Sequence, residues 1–241
     1  MKISKELIEI EELEYDYFNK IHWEMAQDIQ KMIDGLNSKD KIIDDWINAF
    51  KGIDKKRQTS DFARGAERIY YWLFNQFGKP NSAPIGADMF FEHYNAFVHI
   101  DIKTAKVDNP SDYKGKIPIG ENQTSYASPK KGFNVNLPAY YNEGKKEQKI
   151  CLTYAIGIIF KPEDKYLKIL SILLVSIPNK KLYPIYKDRI IGCGKSKGKS
   201  FRYEYKNSPY FVTLPEKPYR VKFLFRNHGI TEEQILGFKI K

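Results

Sequence analysis

Two long aliphatic runs constrain the fold of this chain more than any other feature. Ile150–Phe160 and Tyr166–Ile177 are nearly continuous in aliphatic side chains, and the polar residues Pro162–Lys165 separate them. Such runs are typical of strands that are buried on both faces, because a strand with one wet face alternates polar and apolar residues. The sequence therefore predicts a central hairpin within an α/β (α+β) fold.

The rest of the chain divides into a helical beginning and a strand-rich remainder. At 241 residues with 42% hydrophobic content, the chain is long enough for one sizeable core. We expect an acidic helical portion over residues 1–58, with residues 59–241 as the strand-rich remainder. Periodicity predicts helices at Ile3–Phe18, Ile21–Leu36 and Lys41–Phe50, further short strands at Tyr183–Ile191, Ser200–Tyr205, Tyr210–Leu214 and Tyr219–Phe225, and a capped helix at Thr231–Leu236.

A predicted strand pair within Pro84–Thr104 brings three charged side chains together. Apolar and polar residues alternate up to Asp101 and Lys103, so these two side chains point to the same side of one strand. The polar residues His93–Ala96 form a turn, which lets Asp88 on the preceding strand approach Asp101. Two carboxylates and an ammonium group are thus expected at one place.

This combination has a chemical use. Paired carboxylate oxygens at the end of a strand can hold a hard cation such as Mg²⁺, which keeps several waters and a substrate phosphate in its shell. A lysine beside the metal can orient or deprotonate the attacking water, while the metal offsets the charge that develops on phosphate oxygens. Hydrolysis of a phosphodiester is the reaction that these groups favour.

At these residues the chain resembles the PD-(D/E)xK nuclease superfamily, whose signature is an acid followed by a hydrophobic strand that ends in acid-any-lysine. Asp88 and the triplet Asp101-Ile102-Lys103 match this pattern, although the literal Pro-Asp pair is absent. Residues 100–104 and the stretch Gly120–Tyr126 are similar to the EcoRV type of type II restriction endonuclease. The resemblance covers residues 60–126 and implies a restriction-endonuclease-like nuclease core over residues 59–241, in which helices flank a mixed central β-sheet. It also implies Asp88, Asp101 and the Ile102 carbonyl as metal ligands, with Lys103 acting on the water.

The motif alone leaves two interpretations open. Acid-any-lysine triplets are common in a chain with 40 Lys and Arg residues, and six others begin at Asp54, Asp112, Glu143, Glu147, Glu163 and Glu204. Only the triplet at Asp101 ends a strand-like alternation with an acid on a preceding strand. The alternative to a metal site is a solvated strand face with an ion pair that adds little to stability.

A helix is predicted upstream of the strand pair. Ser60–Gly78 has a serine N-cap, apolar residues at helical spacing and a glycine at its end. Nucleases of the resembling superfamily project a glutamate from such a helix toward the metal, and Glu67 is the matching position. An exposed helix glutamate between Arg64 and Arg68 is the competing interpretation.

Positive charge is concentrated in the later part of the chain. Residues 1–50 have a net charge of −6 and the remaining 191 residues a net charge of +16. A basic domain attracts a polyanion, with binding that weakens as salt increases. The densest basic run supplies candidate phosphate contacts at Lys195, Lys197, Lys199 and Arg202, for which a solvated loop is the alternative.

The residues after Lys103 also point to DNA. Ala105–Phe133 is rich in proline and glycine, so we predict mostly loop, and long loops in small domains are usually functional. The resemblance places this region against DNA. Amide side chains can bond adenine at two points and lysines can meet phosphates. The DNA-binding candidates here are Asn122, Gln123, Thr124, Lys130 and Lys131.

Other classes of protein are disfavoured. Cys151 and Cys193 are too few and too far apart for a zinc knuckle or a disulfide framework, which suits a reducing cytoplasm. The four histidines are scattered, which disfavours an HNH or zinc nuclease. The first residues do not form a signal peptide, and no apolar run approaches the ~20 residues that span a bilayer. We expect a cytoplasmic protein.

The sequence predicts a type II restriction endonuclease that depends on Mg²⁺, with Mn²⁺ able to substitute. It would cut double-stranded DNA at a specific sequence and leave 5′-phosphate and 3′-hydroxyl ends. A homodimer is expected, with the acidic helices as a candidate dimer surface, and a companion DNA methyltransferase would act on the same site. A structure-specific or non-specific nuclease and a catalytically silent DNA-binding protein are the alternatives.

Overall fold

A computed structural model describes residues 3–37, 88–163 and 167–240. The two aliphatic runs form the centre of the main sheet, as predicted. They are the strands β5 (Lys149–Pro162) and β6 (Leu167–Ile177), which pair antiparallel and are buried along most of their length. Their burial on both faces explains why these residues show no polar alternation.

The main sheet has six strands within the described residues. Its order is β1-β2-β5-β6-β9, and β4 pairs with the beginning of β5. The pairing of β2 with β5 is parallel and the other pairings are antiparallel, so the sheet is mixed, as predicted. The strands are β1 (Met89–Glu92), β2 (Ala96–Lys106), β4 (Tyr140–Tyr141), β5 (Lys149–Pro162), β6 (Leu167–Ile177) and β9 (Val221–Arg226).

A second sheet of three strands covers one face of the main sheet. Its order is β3 (Ile117–Gly120), β8 (Ser200–Tyr203) and β7 (Ile191–Cys193), and both pairings are antiparallel. Packing is close, because a Cβ atom at Gly157 of β5 would lie 3.5 Å from Cδ1 of Ile117. Since β3 lies within the predicted loop Ala105–Phe133, the structure shows that this segment contributes to the core.

Two helices pack on the main sheet from the N-terminal part of the chain. They are α1 (Lys5–Gln27) and α2 (Ile29–Asn37), and buried residues of both join the core of the sheet. Phe18 of α1 is fully buried and stacks on Tyr154 of β5. The predicted end of the first helix at Phe18 is wrong, since no proline or glycine interrupts the chain there and the helix continues to Gln27.

Other predicted elements have mixed outcomes. The strand predicted at Tyr183–Ile191 is wrong, because Pro184 begins the short helix α3 (Tyr183–Tyr186) and a 3₁₀ turn follows at Lys187–Ile190. At Tyr210–Leu214 the structure has an isolated bridge between Tyr210 and Tyr219 rather than a strand. The predicted strands near β8 and β9 are confirmed.

The C-terminal helix is confirmed as α4 (Glu232–Leu236), with Thr231 and Gln234 forming a capping box. The helices predicted at Lys41–Phe50 and Ser60–Gly78, together with the boundary between residues 58 and 59, lie outside the described residues.

A buried charged cluster fixes α1 to the sheet. The Arg220 guanidinium is fully buried and donates to Glu11 at 2.8 Å and to Glu14 at 2.7 Å. Burial raises the pKa of Glu14 to about 7. Burial acts in the same direction on Glu11, but Arg220 and hydrogen bonds from Thr213 and Tyr186 hold the pKa of Glu11 below its ordinary value. Glu11 is therefore charged at neutral pH and needs Arg220 as its counter-ion.

We expect Arg220→Met to lower the free energy of unfolding by about 3–5 kcal/mol, because one partner of a buried ion pair would be left without compensation. Urea denaturation at pH 7 measures this loss. Arg226→Met is the matched control, since Arg226 lies on the same strand β9 with an exposed side chain. The control should stay within about 0.5 kcal/mol of the wild type. Equal losses in the two variants would contradict the assigned role of the cluster.

Candidate active site

The hairpin of β1 and β2 places two acidic residues side by side. Met89 pairs with Ile100, so Asp88, which directly precedes β1, lies next to Asp101. The Ile102 amide donates to Oδ2 of Asp88 at 2.6 Å. This bond fixes the Asp88 carboxylate at the end of the hairpin, as the strand-pair prediction required.

Lys103 completes the predicted group. It lies two residues after Asp101 on the same face of β2, and its ammonium forms an ion pair with Oδ2 of Asp101. Asp101 is only 3% exposed, whereas the Lys103 side chain is 23% exposed. Because the N–H and C=O of one strand residue point to the same side, the Ile102 carbonyl is directed toward the edge at which Asp88 lies.

The surroundings of Asp101 disfavour its negative charge. Burial is the largest cause and raises the pKa of Asp101 to about 7, in the same direction as the neighbouring Asp88 carboxyl. Lys103 opposes this shift without cancelling it. A cation bound between the two carboxylates would relieve both their desolvation and their repulsion.

Gln123 is a member of this site that sequence reasoning assigned to DNA bases instead. Its Nε2 donates to Oδ1 of Asp101 at 2.7 Å, and its Oε1 accepts from Lys103 Nζ at 3.0 Å. The Gly120 amide donates to the same Oε1 at 2.6 Å. The amide therefore bridges the acid and the lysine. Gln123 lies in the turn after β3, whereas Asp101 and Lys103 lie on β2. No local sequence pattern indicates the contact between them, because the two segments meet only in the folded chain.

The oxygen atoms of the site fit a hard divalent cation. Asp88, Asp101 and the Ile102 carbonyl supply hard oxygen donors, which are the ligands of Mg²⁺ rather than of zinc. In the described parts of the chain, no group of three or more His, Cys, Asp or Glu side chains could hold a metal ion. The site therefore offers two carboxylates, those of Asp88 and Asp101, from the described residues. Glu67, the predicted further acid, lies outside the described residues.

A basic surface adjoins the site. The turn between β7 and β8 carries Lys197 and Lys199, both exposed, and the Lys199 carbonyl accepts from the Glu121 amide at 3.1 Å. Glu121 lies in the same turn as Gln123. A Cβ atom at Gly198 would lie 3.5 Å from the Gly132 carbonyl, so this hairpin approaches the exposed residues Lys130 and Lys131. Lysine-bearing segments that are distant in sequence thus approach each other, and the β7–β8 turn contacts the turn that carries Gln123.

Two of the predicted DNA contacts have partners within the protein. Thr124 is 1% exposed and its hydroxyl accepts from the Tyr126 amide, so it lies in the core of this structure. The two terminal nitrogens of Arg202 donate to Asp112 at 2.7 Å and to the Cys193 carbonyl at 2.6 Å.

The other candidates keep some access to solvent. Lys195 pairs with Asp112 at 3.1 Å yet stays 73% exposed. Lys131 donates to the Ile191 carbonyl and is exposed. Asn122 is partly exposed and accepts from the Asn136 side chain at 2.6 Å. These side chains remain candidates for DNA contacts.

Comparison with known protein families gives the decisive match. Residues 6–165 match the family model of the N-terminal domain of the type II restriction enzyme MwoI, and residues 169–226 match its central domain. The chain belongs to the MwoI family of type II restriction enzymes. It is a type II site-specific deoxyribonuclease, which agrees with the activity predicted from the sequence. A comparison with curated protein sequences gave no match.

Solved structures show the same fold as this MwoI-family chain. A crystal structure of the restriction endonuclease BglI bound to its DNA recognition sequence has a TM-score of 0.64 and 16% identity, covering 89% of this chain and 90% of BglI. Tetrameric SfiI bound to cognate DNA has a TM-score of 0.64 and 11% identity, covering 95% of this chain and 88% of SfiI. At these identities the likeness supports the fold assignment. None of the described helices of the MwoI-family chain could cross a membrane.

The pKa of Asp101 predicts how stability depends on pH in the absence of metal. Between its ordinary value of 3.8 and about 7, the folded protein holds a proton on Asp101 that the unfolded chain has released. The contribution of Asp101 to the free energy of unfolding is therefore fully present at low pH. It is lost as the pH rises through 7, by up to about 4 kcal/mol. We expect Asp101→Asn to reduce the loss of stability between pH 5 and pH 8.

Urea unfolding in the presence of a chelator at both pH values measures this change. Asp112→Asn is the control, because Arg202 and Lys195 lower the pKa of Asp112 despite its burial, so that it is ionised in both states throughout this range. Glu14 contributes equally to all three proteins. If the stabilities of the wild type and Asp101→Asn depended on pH in the same way, the raised pKa of Asp101 would be refuted.

Proposed function

We propose that this MwoI-family enzyme cuts DNA at the group formed by Asp88, Asp101 and Lys103, in the manner of the PD-(D/E)xK nucleases. The observation that carries the proposal is the convergence of these side chains at the end of the β1–β2 hairpin. The EcoRV-like arrangement predicted from the sequence, acid followed by acid-any-lysine, is part of the same proposal.

Each residue has a distinct role in this proposal. Asp88 and Asp101 would hold Mg²⁺, or Mn²⁺ in its place, with the Ile102 carbonyl as a further ligand. The bound ion would offset the negative charge that develops on the phosphate. Lys103 remains partly exposed beside Asp101, where its ammonium can orient the attacking water. In-line attack on phosphorus would leave a 5′-phosphate and a 3′-hydroxyl.

The surface beside this group fits double-stranded DNA. The β7–β8 turn, which carries Lys197 and Lys199, contacts the turn that carries Gln123 and approaches Gly132, which follows Pro129–Lys131. Positive charge therefore lies on segments that border the proposed site. DNA phosphates would be held at this surface while one phosphodiester reaches Asp101. We include Lys130, Lys131, Lys195, Lys197 and Lys199 in the proposed interface.

Assembly follows from the chemistry. One group of this kind cuts one strand, so a break in both strands of a symmetric site is most simply made by a two-fold dimer. We propose a homodimer on DNA. A methyltransferase that acts on the same sequence would protect the host DNA.

Substitutions in the catalytic group should separate cleavage from binding. We expect Asp88→Ala and Asp101→Ala to lower the cleavage rate by about 10³-fold or more, because the charge-stabilising metal would no longer be held. Without divalent ions these variants should bind DNA as well as the wild type or better, since repulsion of the phosphate is relieved. Lys103→Ala should lose cleavage and some affinity.

Cleavage of a plasmid library followed by sequencing of the ends measures activity, and gel shifts in chelator measure binding. Circular dichroism establishes that each variant is folded. Folded Asp101→Ala that cuts at the wild-type rate in Mg²⁺ would refute the proposed site, and so would undiminished wild-type cleavage after complete removal of divalent ions.

Substitutions in the basic hairpin should change the salt dependence of binding. Removing Lys197 and Lys199 together should reduce the slope of log K against log salt by about 2, at roughly 1 per phosphate contact. Lys5 and Lys31 form the control pair, because both are exposed on the acidic N-terminal helices. Fluorescence anisotropy at several salt concentrations gives the slopes. Equal slopes for both double variants would remove the hairpin from the interface.

A further inference from the structure

Gln123 is held at the catalytic group by three hydrogen bonds. Its Nε2 lies 2.7 Å from Oδ1 of Asp101, and its Oε1 lies 3.0 Å from Lys103 Nζ and 2.6 Å from the Gly120 amide. A base-reading side chain must keep its donor and acceptor free for a base edge. Here both ends of the amide are bound within the protein.

These contacts specify the orientation of both proposed catalytic side chains. Lys103 contacts Oδ2 of Asp101 and Gln123 contacts Oδ1, so both carboxylate oxygens have a partner. The Gln123 oxygen gives the Lys103 ammonium a second acceptor. If Asp101 bound a metal ion in place of the Lys103 ammonium, the hydrogen bond to Gln123 would still hold that ammonium beside the site.

The turn that carries Gln123 is itself fixed. The Gln123 amide donates to the Gly120 carbonyl, and its neighbour Glu121 bonds to the Lys199 carbonyl and to the Asn136 amide. A Cβ atom at Gly120 would lie 3.2 Å from Oε1 of Gln123, so the close approach favours glycine there. The side chain thus has a rigid base, as a residue that positions others needs.

We propose that Gln123 is a positioning residue of the catalytic centre, which fixes Oδ1 of Asp101 and the ammonium of Lys103 relative to each other. This inference rests on the proposed roles of Asp101 and Lys103. It replaces the prediction that Gln123 binds a DNA base. The positioning role affects the rate of cleavage, whereas base recognition affects the choice of sequence.

Gln123→Met keeps the length of the side chain and removes all three hydrogen bonds. We expect kcat to fall at least tenfold, with KM within threefold of the wild type and the same sequence preference. Gln148→Met is the matched control, because the exposed Gln148 also accepts a backbone hydrogen bond, from Gly144 at 2.7 Å, and it should keep wild-type kcat. Wild-type kcat in folded Gln123→Met, or reduced discrimination at one base pair with kcat retained, would overturn the inference.

Gln123→Glu gives an independent readout that does not require cleavage. The new carboxylate would face Oδ1 of Asp101 and still accept from Gly120 and Lys103, so Mn²⁺ should bind at least threefold more tightly in calorimetry. Gln148→Glu adds the same charge elsewhere and should leave Mn²⁺ affinity unchanged. Equal Mn²⁺ affinity in wild type and Gln123→Glu would overturn the positioning role.

Asp101→Ala, measured in parallel, separates this inference from the proposed function. If Asp101→Ala abolishes cleavage while Gln123→Met retains it, only the role of Gln123 fails. If Asp101→Ala cuts normally, the proposed site fails and this inference fails with it.

Discussion

The central strands β5 and β6 have no face that can meet water, and this requirement determines where the other elements lie. Helix α1 covers one face, where Phe18 packs on Tyr154, and the sheet β3-β8-β7 covers the other, where Ile117 approaches Gly157. Because that second sheet lies on the face that also carries Asp101, its turns come next to the proposed catalytic group. Covering the core thus also assembles the site.

Groups of the protein itself contact the charged atoms of the site. Asp101 is buried beside another acid, and burial raises its pKa to about 7. Lys103 and Gln123 together satisfy its two oxygens, while the Ile102 amide satisfies Asp88. Two neighbouring carboxyl groups oppose folding where they are not neutralised, so the arrangement costs stability that the proposed cation would restore.

Local patterns predicted the fold and the convergence of Asp88, Asp101 and Lys103, because the alternation before Asp101 and the aliphatic run of β5 are features of single strands. Contacts between distant segments were not predictable. The Gln123 amide could bind either the edge of a base or a carboxylate. Only the packing of β3 in the folded chain shows that it binds the carboxylate of Asp101. Arg220 resembles any solvated arginine in the sequence, although it is buried. At Tyr183–Ile191 a short apolar pattern fits a strand or a helical turn equally well.

Arg220 meets Glu11 and Glu14 across separations of 209 and 206 residues. Synthesis begins at the N-terminus, so α1 leaves the ribosome long before the buried cation that neutralises its two acids has been made. Docking of α1 on the sheet is therefore a late step of folding, because unpaired buried carboxylates are costly. A nascent or truncated chain carries Asp88, Asp101 and Lys103, yet it cannot become a folded DNA-cutting enzyme before β9 has been translated.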